Sequence, residues 1–137
     1  PETIATGLTA AETGHLVFST LHTSTAAEAV ERIVDVFEGP KQKQVLIQLS
    51  AVLRATVAQQ LIPAAEGGRV AAREVLINTP AVSNLIRENN IAQLQSVIQT
   101  NAKAGMVTMD KAIEKLLKEK LITKEVAEKR SGRQRKI

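Results

Sequence analysis

His15 and His22 are the only histidines of the chain, and both lie in Thr13-Gly14-His15-Leu16-Val17-Phe18-Ser19-Thr20-Leu21-His22-Thr23. Imidazole exchanges protons near neutral pH and ligates metals, so chemistry is sought here first. The run from His15 to Leu21 is short, apolar and contains β-branched Val17 and Thr20, which predicts a buried strand. Along a regular strand seven residues span roughly 23 Å, and an odd offset turns two side chains to opposite faces. The two imidazoles therefore cannot share one metal ion on an unbroken strand. On spacing alone, a structural role is the commoner one for each.

Elements must hold these residues in place. From Thr3 to Glu12, Ile4, Ala5, Leu8 and Ala11 follow helical spacing, with Gly14 where a C-terminal cap belongs. Thr25 with Glu28 three residues on is a capping-box pattern, and Val30, Ile33, Val34 and Phe37 continue that helix to the Gly39-Pro40 break. A further helix is expected from about Lys41 to Arg54. Ala55 to Pro63 and Arg69 to Asn78 flank Ala65-Glu66-Gly67-Gly68 and predict a β-hairpin. Thr79-Pro80 starts another helix, with Val82, Leu85 and Ile86 on its apolar face. Ile91, Leu94, Val97 and Ile98 form a second amphipathic segment, Thr108 caps a third with Met109, Ala112, Ile113, Leu116 and Leu117, and Thr123 caps a short fourth around Val126. The C-terminal half thus reads as a small helical bundle.

A helix leading into a buried strand is half of a crossover between parallel strands. Ligands of such sheets gather beyond the carboxyl ends of the strands, which assigns the ligand side to Leu21-His22-Thr23-Ser24. The helix N-terminus that follows would favour phosphate. His22 takes the ligand end; packing or a subunit contact suits His15.

Composition narrows the partners. With 137 residues, 44% of them hydrophobic, the chain can bury one core with a small appended subdomain. No apolar run approaches the roughly 20 residues that cross a bilayer, and the expected location is cytoplasmic. Without cysteine there are no disulfides, thiolate nucleophiles or cysteine metal sites. Two Phe, with no Trp or Tyr, argue against stacking on bases or sugars. Lys129, Arg130, Arg133, Arg135 and Lys136 carry the excess positive charge, leaving residues 1–128 near neutral. Nucleic acid is accordingly not an expected partner.

Glu2-Thr3-Ile4, the run Leu8 to Phe18 and Thr20-Leu21-His22-Thr23 resemble the histidine box of the secretion-ATPase superfamily of type II secretion and type IV pili. The similarity continues through Arg32 to Phe37, Gln59-Gln60-Leu61, Gly68 to Ala72 and Asn84 to Glu88. Within the superfamily it is greatest to the pilus-retraction ATPases, whose C-terminal helices carry Ala-Ile-Arg-Asn-Leu-Ile-Arg-Glu. Here the motif reads Ala81-Val82-Ser83-Asn84-Leu85-Ile86-Arg87-Glu88, and Ser83 in place of Arg removes a charge and five donors.

The resemblance implies an α/β fold: the C-terminal portion of a RecA-like P-loop ATPase domain, a short sheet with a β-hairpin, followed by a small helical bundle. The expected division is 1–78 for the ATPase core with the histidine box, 79–130 for the helical subdomain and 131–137 for a basic tail. It further implies a homo-hexameric parent using ATP and magnesium, docked on the pilus machinery at the inner membrane. Catalytic roles fall to His22 and, secondarily, His15; nucleotide contact falls to Thr20 and Thr23. No Gly-x-x-x-x-Gly-Lys-Ser/Thr occurs in the chain, and phosphoryl transfer requires such a loop and a magnesium-binding carboxylate. The family's Walker A and Walker B elements belong before Pro1, so the piece alone is expected neither to bind ATP tightly nor to hydrolyse it. An unpaired edge on the strand at 15–21 would promote self-association or rearrangement. The alternative is a non-catalytic interaction module of the same machinery.

Overall fold

A computed structural model describes the backbone of residues 2–134 and the side chains of residues 2–130. Helix α1 (Glu2–Glu12) is followed by α2 (Ala26–Asp35), α3 (Pro40–Val52), strands β1 (Ala55–Pro63) and β2 (Arg69–Ile77), and α4 (Pro80–Arg87). A 3₁₀ turn at Ile91–Gln93 leads into α5 (Leu94–Thr100), and another at Ala102–Ala104 precedes α6 (Met109–Lys118) and α7 (Lys124–Gln134). The expected short helix around Val126 thus extends through residue 134. Of the expected tail at 131–137, residues 135–137 lie outside the described residues.

The helix starts follow local chemistry. Thr25, Thr79 and Thr108 each have extended backbone at the N-cap and accept an N–H three residues on, from Glu28, Val82 and Lys111. Thr123 accepts from Val126 N–H in the same way at 3.3 Å. Each bond satisfies one donor that the first helical turn leaves unpaired. The ends of α1, α4 and α6 share one device. His15, Asn90 and Leu121 donate backbone N–H to Ala10, Leu85 and Leu116, while Gly14, Asn89 and Lys120 take positive φ to turn the chain.

Strands β1 and β2 form a two-stranded antiparallel sheet in a register that pairs Ala55 with Ile77 and Pro63 with Arg69. The expected hairpin is therefore present. Ala58, Ile62, Ala72, Glu74 and Leu76 are buried on its inner face, and Val57 and Leu61 are exposed on the other. A single antiparallel bridge joins Val75 to Val107 on the far side of β2. Positive φ at Gly105 prepares that return, and a Cβ there would stand 3.0 Å from Ile77 Cδ1.

The expected strand at 15–21 is not formed. Residues 15–23 carry no helix or strand, and Leu16 and Phe18 are 77% and 87% exposed. A strand persists when neighbours take up its N–H and C=O groups. The two strands among the described residues pair with each other, so the segment has no partner strand. The parallel sheet and crossover inferred from that strand are likewise absent among the described residues.

Burial groups the chain into two apolar clusters. The larger unites Leu8, Val30, Val34, Val45, Leu46, Leu76, Val82, Ile86, Leu94 and Ile98 from α1–α5 and β2. The smaller contains Ile62, Ala72, Met109, Ile113, Ile122 and Ala127, under α6 and α7. Packing thus sets α4 and α5 with the N-terminal helices rather than with α6 and α7, across the expected boundary after residue 78.

The hairpin base is tied to the end of α3. Asn78 donates from Nδ2 to the carbonyls of Ser50 and Leu53 at 3.1 and 2.8 Å, and its backbone N–H donates to Arg54 at 2.9 Å. Without the amide the Leu53 carbonyl loses this donor, while Ser50 O keeps the Ser83 hydroxyl, and a buried acceptor left unpaired costs more than a hydrogen bond contributes on average. Asn78→Ala should lower stability by about 1–3 kcal/mol in urea unfolding; an unchanged midpoint would show that water replaces the amide without loss.

Candidate functional site

The histidines take different surroundings. His15 directly follows the Gly14 turn at the end of α1, and its Nδ1 lies 3.2 Å from both Ala10 O and Thr13 Oγ1. With the proton on Nδ1, the ring donates to one of the last carbonyls of α1, a capping role suited to a helix C-terminus. His22 is exposed, and its ring makes no hydrogen bond among the described residues. Thr20 is exposed too, whereas half-buried Thr23 donates its hydroxyl to Thr25 O at 3.3 Å.

Immediately beyond His22 the chain is fastened. Ser24 donates both backbone N–H and hydroxyl to Glu28 Oε2, at 3.2 and 3.1 Å. Thr25 Oγ1 accepts Glu28 N–H at 3.1 Å, so the capping box is present with Ser24 as the reciprocal donor. From the hairpin, Gln60 Nε2 donates to Ser24 O at 3.3 Å. The exposed run before residue 23 thus ends at an anchored point.

That anchor overturns the expectation of a phosphate at the N-terminus of α2. Glu74, 1% exposed, accepts Ala26 N–H through Oε1 at 2.9 Å and Met109 N–H through Oε2 at 3.0 Å. Ala26 and Met109 are the first residues of α2 and α6. An internal carboxylate therefore holds the position an incoming anion would take. The donor set does not fit ATP phosphates, and among the described residues no group of three or more His, Asp or Glu is placed to hold magnesium.

The stretch Ala81–Glu88 is the body of α4 and its C-cap. Val82 and Ile86 are buried, Leu85 is half-buried, and Ala81, Asn84, Arg87 and Glu88 are exposed. Ser83 donates its hydroxyl to Ser50 O at 2.7 Å, beside the Asn78 bond to the same carbonyl. The serine that stands for the family's arginine thus ties α4 to α3. His22 lies in the loop ahead of α2, whereas Arg87 and Glu88 close α4.

Glu74 was not singled out from sequence, although a signal was present. It lies in phase with Ala72 and Leu76, at i−2 and i+2 on an apolar strand face, where an acidic residue must find donors. Two Thr-capped helix starts supplied them.

The sequence profile of the family described as Type II/IV secretion system protein matches residues 1–128. The chain belongs to that family. A twitching motility protein of Neisseria gonorrhoeae is 52% identical over 132 residues, covering 96% of this chain and 35% of its own length. A type IV pilus retraction ATPase, PilT, of Pseudomonas aeruginosa is 48% identical over 130 residues, covering 95% and 38%. A crystal structure of the pilus retraction motor PilT with bound ADP aligns with a TM-score of 0.81 at 49% identity, over 92% of this chain and 35% of that one. The α/β fold is thus that of part of a PilT-like ATPase, and the chain spans about a third of the length of these relatives. Among the described residues no helix is long and apolar enough to cross a membrane.

Exposure at 16–18 has a direct consequence. Phe18→Ser should change the unfolding free energy by no more than about 0.5 kcal/mol, as for a surface site. A loss above about 2 kcal/mol would mean that Phe18 is packed in solution.

Proposed function

We propose that this chain is the C-terminal part of a hexameric motor ATPase that powers type IV pilus retraction, with the histidine box on residues 15–23. The observation that carries the reading is the placement of His22: an exposed imidazole in a loop, directly ahead of the fastened residues 23–26. An exposed ring next to a fastened backbone can meet a nucleotide bound by elements outside residues 1–137. In this reading the phosphates and magnesium are held elsewhere, and His22 contacts the nucleotide with Thr20 beside it. His15 supports the end of α1 instead. The apolar side chains of Leu16 and Phe18 favour burial against another part of the parent or against a neighbouring subunit.

The second reading, a non-catalytic contact with the pilus machinery, is favoured by α4. Its apolar face is used internally, and Ser83 is bonded to α3, while Arg87 and Glu88 face solvent. The two readings assign different surfaces and are compatible in one motor.

In the full-length protein carrying this segment, His22→Ala is expected to lower ATP hydrolysis by at least about tenfold with little change in nucleotide affinity. Equal loss of both would contradict a role in the reaction. Arg87→Ala or Glu88→Ala should reduce twitching motility while ATPase activity stays normal. Loss of both activities together would remove the separate role of α4.

A further inference from the structure

The Glu74 carboxylate has a geometry that capping alone does not require. Thr25 and Thr108 already serve α2 and α6 separately, each accepting the N–H three residues on. Glu74 adds one acceptor to each helix, and both come from the same side chain. Ala26 and Met109 are fully buried at the far ends of these bonds. Along β2, Ala72 packs in the cluster with Met109, and Leu76 packs in the cluster with Ala26. Glu74 lies between them on the same face. Across the register its neighbour is buried Ala58, whose small side chain leaves room for the carboxylate.

We propose that Glu74 is a positioning residue that makes the starts of α2 and α6 move as one, so that displacement of residues 22–25 is passed to α6 and α7. A carboxylate sealed from water is stabilised here by two helix N-termini and their N–H donors. When the first turn of α2 opens, Ala26 N–H leaves and water reaches an ion that was dry. Water then competes for both oxygens, and the hold on Met109 weakens. The joint belongs to this chain and holds whether or not His22 meets a nucleotide.

Amide hydrogen exchange, resolved by residue on the whole chain, tests it. Thr25→Ala loosens α2 without touching α6. The readout is Ala112 N–H in the first turn of α6, which donates to Thr108 O and not to Glu74. With Glu74 present, Thr25→Ala is expected to lower protection there by about tenfold, the scale of one lost N-cap. In the Glu74→Leu background, Thr25→Ala should leave Ala112 unchanged relative to Glu74→Leu alone. An equal loss in both backgrounds would assign the transmission to apolar packing and overturn the proposal, as would no loss at Ala112 in the native background. Glu74→Gln gives the same readout if Leu does not fold: Gln keeps one acceptor oxygen, so it can hold only one of the two helices. Transmission undiminished in Glu74→Gln would also overturn the proposal.

Discussion

A buried carboxylate between two helix starts is the constraint on which the architecture turns. Glu74 comes from the middle of β2, and without partners its charge would cost several kcal/mol in that position. Two N–H donors at 2.9 and 3.0 Å meet that cost, and they exist only when α2 and α6 both begin where they do. The hairpin, α2 and α6 are therefore specified jointly. Apolar packing fills the two clusters on either side, but it does not by itself fix where a helix starts; Thr25, Thr108 and Glu74 do that together.

This constraint also separates what is anchored from what is exposed. Residues 23–28 are fixed by side-chain bonds among Thr23, Ser24, Thr25 and Glu28, and by Gln60 from the hairpin. Ahead of them lies a loop with His22, Leu16 and Phe18 open to solvent. Further along the chain, α4 gives its apolar side and Ser83 to α3 and leaves Arg87 and Glu88 outward. Belonging to the Type II/IV secretion system protein family gives both surfaces a context in which to act.

Much of the fold was legible because its signals are local. The four threonine caps, the Gly14 turn, the Gly39-Pro40 break and the hairpin arms each depend on residues within a few positions of one another, and each element formed within a few residues of its expected bounds. Residues 15–21 went otherwise for a physical reason. An apolar β-branched run states a preference for burial, whereas strand formation depends on a partner that the run itself cannot specify. The phosphate expectation at α2 failed on a long-range contact: Glu74 is 48 residues from Ala26. The motif Ala81–Glu88 was legible as a helix, but the use of Ser83 as a link to Ser50 required knowing that α3 ends beside it. His22 lies exposed ahead of α2 and His15 sits at the end of α1, although the strand from which their separate roles were inferred is absent.

The central claim is that one carboxylate accepts from both helix starts. Scalar couplings transmitted across hydrogen bonds, from the amide nitrogens of Ala26 and Met109 to the carboxyl carbon of Glu74, measure it directly. Two correlations converging on that one carbon are predicted. A correlation from only one helix, or from neither while the chain remains folded, would contradict the shared clamp.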